Sequence, residues 1–208
     1  MADTCEPNAY KVLVVGTANV GKTSVVRRYT KGVFDATYKA TLGVDFAMKE
    51  LDLPDPSNPE GRPVRSIMQL WDIGGQDKNP TMTRVYLKGG VAAIVVAAAN
   101  SKYSFEQAIE WQKDVERKLP EVPVVLIVNK SDVPWMDYVM NESQVAEFAK
   151  LHGFAACFWT SAATGANVEE AFHAVAMLVS GGGKVATDGS KDGISFNNTM
   201  KRKRSRCC

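Results

Sequence analysis

The amino-acid sequence predicts an α/β domain with a mainly parallel sheet that helices cover on both faces. Short β-branched apolar runs alternate with helical patterns along the chain, and this alternation is typical of parallel strands joined by helical crossovers. One pair of neighbouring apolar runs is instead separated by the proline-rich stretch "PDPSNPEGRP". That stretch predicts one antiparallel hairpin at an edge of the sheet.

The predicted elements follow one another in this order. The run "YKVLVVG" has the pattern of a buried strand closed by glycine, and "GKTSVVRRYT" continues it as a helix. The hairpin strands are "VDFAMKELDL" and "VRSIMQLWDI", which partly alternate between apolar and polar residues. Three later strands are predicted at 91–99, 123–130 and 153–161, and three helices at about 104–118, 142–151 and 168–179.

Length and composition exclude several classes of protein. With 208 residues, of which 45% are hydrophobic and 23% charged, the chain can form one domain with a sizeable core. It has no apolar run long enough to span a bilayer and no N-terminal pattern of a signal peptide. Two of its four cysteines end the chain, so we expect no disulfide framework and a reducing, cytosolic setting.

The charge of the chain is divided unevenly. From Gly181 onward there are seven basic and two acidic residues, so that of the net charge of +2 this segment carries +5 and the rest −3. Apolar periodicity also stops there, and Gly, Ser, Asn and Lys become frequent. We therefore divide the chain into a flexible N-terminus (1–8), a folded domain (9–180) and a flexible basic tail (181–208) that meets an anionic surface.

The stretch "GTANVGKT" matches the pattern G-x-x-x-x-G-K-[ST] between the first predicted strand and helix. Glycines let the backbone curl so that N–H groups point at phosphate oxygens, and the helix that begins near Gly21 adds its positive end. Lys22 can then reach the β- and γ-phosphates, and the Thr23 hydroxyl can hold Mg²⁺. The alternative is a glycine-containing turn with an incidental lysine, which the position between strand and helix disfavours.

Two further stretches can surround a γ-phosphate. In "WDIGGQ", Asp72 is placed for the magnesium shell, Gly75 can offer its N–H to the phosphate, and Gln76 can orient an attacking water. In "FDATYKATLGVDF", Thr41 can ligate Mg²⁺ while the γ-phosphate is present, and Phe34 can stack on a base. Taken singly, the first is also compatible with an ordinary turn and the second with a loop that has a hydrophobic anchor.

The stretches "NKSD" and "TSA" each follow a predicted strand and can recognise a base. The Asp132 carboxylate can accept two hydrogens from the N1–H and N2–H₂ edge of guanine, a donor pair that adenine lacks. Asn129 can bind the base or brace the phosphate loop, and the Lys130 stem can lie across the base plane. Ala162 can donate its N–H to guanine O6, while Ser161 shapes that loop. Either stretch alone is also compatible with a small polar turn.

In their order along the chain, the five stretches resemble those of the Ras superfamily of small GTPases over roughly residues 9–180. "TLGVDF", "WDIGGQ" and the final Cys-Cys are similar to Rab proteins, and "ATLGVDFAMK" with "MTRVYLK" is similar to the Rab branch of lysosome-related organelles. The resemblance implies the P-loop NTPase fold of small GTPases. Its α/β sheet has six strands, mostly parallel with one antiparallel strand, and is flanked by about five helices.

The resemblance also implies a function. A Rab-type switch binds GTP or GDP with Mg²⁺, hydrolyses GTP slowly and recruits effectors to membranes in vesicle trafficking and protein transport. The implied partners are a guanine nucleotide exchange factor, a GTPase-activating protein, the Rab escort protein, a GDP dissociation inhibitor and effectors. We expect a monomer without nucleic-acid partners, in the cytosol and on the cytoplasmic face of an endosomal, Golgi-derived or lysosome-related membrane.

Carried over residue by residue, the resemblance implies four groups of site residues. The catalytic residues are Gln76 and Lys22. The metal is held by Thr23, Thr41 and Asp72. The effector surface across the two switch segments consists of Phe46, Trp71 and Tyr86. The nucleotide is contacted by Ala18, Asn19, Val20, Gly21, Lys22, Thr23, Ser24, Phe34, Tyr38, Thr41, Gly75, Asn129, Lys130, Asp132, Ser161 and Ala162.

The end of the chain resembles a lipidation signal. Cys207 and Cys208 match the Rab signal for double geranylgeranylation. One lipid chain gives marginal membrane binding, whereas two chains hold, and the preceding "KRKRSR" adds roughly 1 kcal/mol per basic residue near an anionic leaflet. A basic run is also compatible with a nuclear signal or a solvated tail, and terminal cysteines with chance.

Two other functions stay open from the sequence. Ala18 and Gly74 depart from the residues customary in the family, which gives weight to a GTP-binding docking protein with little or no intrinsic hydrolysis. The phosphate loop by itself also fits another P-loop enzyme that uses ATP, and "NKSD" discriminates against this possibility. The insert at 54–63 is predicted to be exposed and to do no chemistry.

Overall fold

The computed structural model describes residues 7–37, 39–55, 61–75, 85–181 and 194–195. Its strands are β1 (Asn8–Val15), β2 (Val44–Leu53), β3 (Val64–Ile73), β4 (Ala92–Ala98), β5 (Val124–Asn129), β6 (Ala156–Trp159) and β7 (Ile194–Ser195). Its α-helices are α1 (Lys22–Lys31), α2 (Lys102–Lys118), α3 (Glu142–Leu151) and α4 (Val168–Val179). Residues 85–87 are also helical, and Trp135–Asp137 form a 3₁₀ turn.

The strands form one sheet in the order β2-β3-β1-β4-β5-β6-β7. β1 pairs in parallel with both β3 and β4, and β4, β5 and β6 continue in parallel. β2 and β3 form the antiparallel hairpin that the sequence predicts, in register from Val44 opposite Ile73 to Leu53 opposite Val64. The prediction of a mainly parallel sheet with six strands, one of them antiparallel, is therefore confirmed.

A seventh strand extends this sheet beyond β6. Ile194 and Ser195 pair antiparallel with Cys157 and Ala156, so a short piece of the segment assigned to the tail lies along the sheet edge. The sequence does not predict this strand, because the residues around it are rich in Gly, Ser, Asn and Lys and show no alternation. Pairing with an open edge uses backbone N–H and C=O groups, which carry no residue-type signature.

The helices lie where the sequence predicts them, and side-chain capping explains the first residues of α2 and α3. α2 begins at Lys102, two residues before the predicted start, because the Ser101 side chain accepts a hydrogen bond from the Ser104 N–H. α3 follows Asn141, whose side chain forms a reciprocal capping box with Gln144. Among the described residues, the four α-helices and the helical segment 85–87 together make up the five helices that were expected. Within the described part of the chain, no helix combines the length and the apolar character that crossing a membrane requires.

Two hydrophobic clusters cover the two faces of the sheet. In β1, Val12 and Val14 belong to the cluster under α1 and α4, while Leu13 and Val15 belong to the cluster under α2 and α3. All four side chains are fully buried. Strands covered on both faces read as continuous apolar runs rather than alternating ones, and this is why the central strands stand out in the sequence.

The parallel strands point their carboxyl ends to the same edge of the sheet. The loops after β1, β3, β5 and β6 therefore emerge side by side at this edge. In the sheet, β1 lies between β3 on one side and β4 on the other, so the strand order changes direction at β1. Ligands of open α/β sheets bind in the crevice at such a switch point. Four of the five sequence stretches lie in these loops, so the fold brings them together.

Candidate nucleotide-binding site

The loops at this edge enclose a cavity of about 530 Å³, a volume typical of small-molecule sites. Five segments line it: the loop after β1 with the start of α1, the segment between α1 and β2, residue 75, and the loops after β5 and β6. Of the residues predicted for the nucleotide, these line the cavity: Ala18, Asn19, Gly21, Lys22, Thr23, Ser24, Phe34, Thr41, Gly75, Asn129, Lys130, Asp132 and Ala162.

Lys22 is buried at the N-terminus of α1, where the cavity meets the phosphate loop. The residue is only 6% exposed, and its Nζ donates a hydrogen bond to the Thr17 carbonyl oxygen at 3.0 Å. Burial lowers the pKa of the Lys22 ammonium, and the charge of Asp72 opposes that shift. The N-cap residue Gly21 has no side chain to cap the first turn. An anion in the cavity would therefore meet a desolvated ammonium and the N–H groups of a helix N-terminus.

The three side chains predicted to hold a metal meet beside Lys22. The Thr23 hydroxyl donates to Asp72 Oδ2 and lies 2.8 Å from the Thr41 hydroxyl. Asp72 is 1% exposed, and among the described residues its Oδ1 has no hydrogen-bond partner. Burial raises the pKa of Asp72, against the hydrogen bond from Thr23 and the charge of Lys22. A buried carboxylate oxygen without a partner and two hydroxyls are a donor set that fits a hard cation such as Mg²⁺.

Gly75 lies directly against the phosphate loop. A Cβ on residue 75 would lie 2.4 Å from the backbone nitrogen of Ala18 and 2.5 Å from the carbonyl carbon of Thr17, so only glycine allows this approach. The preceding Gly74 donates its N–H to the Gly43 carbonyl oxygen at 2.8 Å. The segment after β3 and the segment before β2 thus contact each other at the same end of the cavity.

Asn129, at the end of β5, links two loops of the site. Its Nδ2 donates to the Val20 carbonyl oxygen at 2.9 Å, and its Oδ1 accepts from the Ala162 N–H at 3.0 Å. Gly21 packs so closely that a Cβ there would lie 2.4 Å from Nδ2. Of the two roles that the sequence leaves open for Asn129, this geometry favours bracing the phosphate loop.

The other end of the cavity contains Asp132 and Lys130. The Ser161 hydroxyl donates to Asp132 Oδ1 at 2.6 Å and accepts from the Thr164 N–H at 3.0 Å, so it orients the carboxylate and leaves Oδ2 for a ligand. Lys130 has a φ of +67°, a left-handed conformation that is uncommon for a residue with a side chain. Residues with such strained backbone conformations are concentrated at ligand sites. Burial also lowers the pKa of Lys130, while the charge of Asp132 opposes the shift.

The predicted effector surface lies outside the cavity, on β2, β3 and the helical segment 85–87. Phe46 is 59% exposed, and its ring packs edge-to-face on Trp71 with centroids 4.6 Å apart. Lys11 Nζ lies 3.3 Å from the centroid of the Trp71 ring, within cation–π range. Tyr86 is partly buried, and a Cβ on Gly43 would lie 3.7 Å from its hydroxyl. The trio therefore adjoins the segments that line the phosphate end of the cavity.

Some predicted residues act from behind the cavity or lie outside the description. The Val20 side chain is 2% exposed and belongs to the core, so that this residue contributes its carbonyl oxygen. Ser161 is 1% exposed and acts through Asp132. Outside the described residues lie Tyr38, Gln76, Cys207, Cys208 and residues 56–60 of the insert.

The structure adds residues that the sequence analysis misses. Val133 and Ala163 also line the cavity, and the carbonyl oxygens of Ala162 and Ala163 accept hydrogen bonds from Arg28. Contacts to backbone carbonyls leave no residue-type pattern. The available signal is position: Arg28 follows the buried Val25 by three residues and so lies on the same side of the helix.

Comparisons with known proteins agree with this geometry. The model of the Ras family matches residues 11–180. Human "Ras-related protein Rab-32" is 39% identical over 208 residues, which cover 96% of this chain and 89% of that protein. "Ras-related protein Rab-32B" of Dictyostelium discoideum is 38% identical over 173 residues, which cover 81% of this chain and 63% of that protein. "Ras-related protein Rab-7L1" of Rattus norvegicus is 39% identical, covering 78% of each chain.

A phosphate loop between β1 and α1, with the segments after β3, β5 and β6 around the same cavity, is the arrangement of the small GTPase class. The chain belongs to the Ras family, within its Rab group of small GTPases. It therefore binds guanine nucleotides, hydrolyses GTP, acts in membrane trafficking and associates with intracellular membranes. Exchange factors, activating proteins, effectors and the GDP dissociation inhibitor are its general classes of partner. Of the functions that the sequence leaves open, this membership favours the GTPase.

We expect Gly75→Ala to reduce the preference for GTP over GDP by about tenfold, the effect of one lost charge-assisted hydrogen bond. The new Cβ collides with the backbone of Ala18 and Thr17, so residue 75 has to move away from the phosphate loop. Competition of GTP and GDP against a fluorescent GDP measures the ratio. The control is Gly89→Ala, since Gly89 has a φ of +77° but nothing within 4 Å. An unchanged ratio in Gly75→Ala contradicts the assignment.

Proposed function

We propose that the cavity holds GTP or GDP together with Mg²⁺, and that loss of the γ-phosphate releases the segments that carry Thr41 and Gly75. One observation carries this proposal: both segments contact the phosphate loop at the same end of the cavity. The Thr41 hydroxyl lies 2.8 Å from the Thr23 hydroxyl, and Gly75 lies against the backbone of Ala18. One phosphate at that end would meet both segments, and so could order both.

The lysine that we assign to the phosphates is already buried. Lys22 would exchange its hydrogen bond to the Thr17 carbonyl for one to a phosphate oxygen. The N–H groups of the loop and of the first turn of α1, with Ser24, would hold the remaining oxygens. Thr23, Thr41 and Asp72 would hold Mg²⁺, which supplies positive charge to the phosphates. The unpartnered Oδ1 of Asp72 supports this role, because a buried carboxylate is costly without a cation.

The end of the cavity that contains Lys130, Asp132 and Ala162, which we call the base corner, is proposed to select guanine. Asp132, whose Oδ1 also accepts from the Ser161 hydroxyl, would accept from the N1–H and N2–H₂ edge with its carboxylate. The Ala162 N–H, which donates to Asn129 Oδ1 in the structure, would share its hydrogen with O6. The Lys130 stem and the 42% exposed Phe34 would lie against the faces of the base. Adenine lacks the donor pair, so it would leave the carboxylate unsatisfied.

Hydrolysis is assigned to Gln76 and Lys22. Gln76 would orient the attacking water, and Lys22 would offset the charge that develops on the phosphate oxygens. The intrinsic rate is proposed to be low, with the missing charge supplied by a GTPase-activating protein. The reaction would then remove the contact that orders the segments of Thr41 and Gly75, and the effector surface next to them would lose its shape.

The effector surface and the tail are proposed to link the switch to a membrane. An exposed aromatic cluster such as Phe46 with Trp71 beside two nucleotide-dependent segments favours a protein partner. Residues 181–208 are proposed as the tether, lipidated at Cys207 and Cys208. Eleven residues, 196–206, separate β7 from Cys207, and they can span roughly 37 Å when extended.

The proposed compartment is the cytoplasmic face of an endosomal or lysosome-related membrane. The stretches "ATLGVDFAMK" and "MTRVYLK" support it, because they resemble the Rab branch of lysosome-related organelles. Delivery there would use the Rab escort protein and the GDP dissociation inhibitor, which shield the lipid chains from water.

We expect Asp132→Asn to shift nucleotide preference from guanosine to xanthosine diphosphate by about 100-fold. The amide oxygen can accept from both the Ser161 hydroxyl and the N1–H of xanthine, while the amide NH₂ donates to the C2 carbonyl of xanthine. Competitive binding of the two diphosphates measures the shift. Asp137→Asn, on the exposed 3₁₀ turn, is the matched control and should keep guanosine preference. A wild-type chain that prefers ATP would rule out the guanine assignment.

We expect Gln76→Leu to reduce single-turnover GTP hydrolysis by about tenfold or more, because the attacking water loses its orienting amide. GTP affinity, measured on the same preparation, should stay unchanged and serves as the internal control. The assay is run alone and with an activating protein, since an activator can bring its own glutamine. If the rate is unchanged in both conditions, Gln76 is not catalytic.

We expect replacement of both Cys207 and Cys208 by serine to move the chain from the membrane fraction to the soluble fraction of cells. Each single replacement should give partial retention, because one lipid chain plus the basic run still binds weakly. Cell fractionation and imaging of the tagged protein measure the distribution and identify the compartment. Cys5→Ser is the control. A double variant that stays on membranes contradicts lipid anchoring at these positions.

A further inference from the structure

Within the described part of the chain, Arg28 of α1 makes three hydrogen bonds, all to backbone carbonyl oxygens. Its Nε donates to Ala162 at 2.7 Å, and its two terminal nitrogens donate to Ala163 at 2.6 Å and to Gly32 at 2.8 Å. The side chain stem lies beside Gly165, where a Cβ would be 3.7 Å from Arg28 Cδ. The guanidinium is thus positioned by the end of its own helix and by the loop after β6, and it does not line the cavity.

Ala162, in the loop after β6, lines the cavity, and the peptide plane that carries its N–H is held at both of its polar atoms. The Ser161 carbonyl oxygen accepts from the Gly165 N–H at 2.7 Å, and the Ala162 N–H donates to Asn129 Oδ1 at 3.0 Å. The next two planes, which carry the Ala162 and Ala163 carbonyls, are gripped by Arg28. Without those two hydrogen bonds from Arg28, the Ala162 peptide would be held by its contacts to Asn129 and Gly165 alone.

The third hydrogen bond connects this loop to the entry of the segment before β2. Gly32 ends α1 in a left-handed conformation, with a φ of +68°, and its N–H donates back to the Arg28 carbonyl oxygen at 3.0 Å. The Arg28 side chain then donates to the Gly32 carbonyl. Because Phe34 follows two residues later, one guanidinium fixes both the loop beneath the base edge and the start of the segment that lines the base end of the cavity.

We propose that Arg28 is a positioning residue for base recognition, which holds the Ala162 N–H where it can donate to the 6-oxo group of a guanine nucleotide. The inference rests on the proposed role of the base corner. Arginine suits the task because its planar fork can serve three acceptors at once, whereas a lysine ammonium is a point charge on a flexible stem. Arg28 acts through the loop and does not touch the nucleotide.

The test compares GDP with 6-thio-GDP in Arg28→Met, Arg28→Lys and the wild-type chain. Replacing O6 by sulfur keeps the N1–H and N2–H₂ donors but provides a weak acceptor for the Ala162 N–H. For the wild type we expect GDP to bind about tenfold more tightly than 6-thio-GDP. In Arg28→Met, GDP should weaken about tenfold while 6-thio-GDP changes little, because the contact is already lost. Arg28→Lys should restore part of the preference.

The control is Arg117→Met, which removes an exposed arginine paired with Asp114 on α2 and should behave like the wild type. A merely structural role for Arg28 would weaken both nucleotides equally and keep their ratio, so an unchanged ratio in Arg28→Met overturns the inference. A wild-type chain that binds both nucleotides equally also overturns it, since Ala162 then makes no contact with O6. A wild-type chain that binds no GDP would instead refute the proposed function itself.

Discussion

The Asn129 side chain is the contact on which the rest of the site depends. It is 2% exposed, and it joins the Val20 carbonyl to the Ala162 N–H across 109 and 33 residues of sequence. A buried amide has to satisfy both of its ends, so the phosphate loop and the base loop are fixed relative to each other by one group. The loops that carry Val20 and Ala162 are therefore held in place before any ligand enters, which lowers the entropic cost of ordering them on binding.

The segments that we propose to contact the γ-phosphate are held far more weakly. The segment before β2 is largely exposed, with Leu42 at 88%, and it meets the rest of the site through the Thr41 and Thr23 hydroxyls and the Gly74–Gly43 hydrogen bond. Regions with few buried contacts open at low free-energy cost. A rigid nucleotide-holding edge next to weakly held segments is what a switch requires, because small changes in ligand contacts then decide whether the segments are ordered.

The sequence predicts the strands and helices well where burial dictates residue type. The β-branched runs of β1, β4 and β5 are buried on both faces, and such strands leave a strong pattern. The motifs are predictable for a similar reason, since phosphate, metal and base each need particular side chains at fixed spacing. The predicted start of α2 is two residues too late, because the Ser101 cap and not the apolar pattern sets where the helix begins. The sequence misses β7 because pairing at a sheet edge uses backbone groups.

The sequence by itself determined the fold class, the order of the elements and the identity of the chemical groups, since each of these depends on residue type and spacing along the chain. Tertiary structure alone decided which groups meet. Asp72 keeps a buried oxygen without a partner among the described residues, Ser161 donates to Asp132, and Arg28 donates to two carbonyls of the loop after β6. These contacts join positions distant in sequence, often through backbone carbonyls, and a carbonyl is the same in every residue.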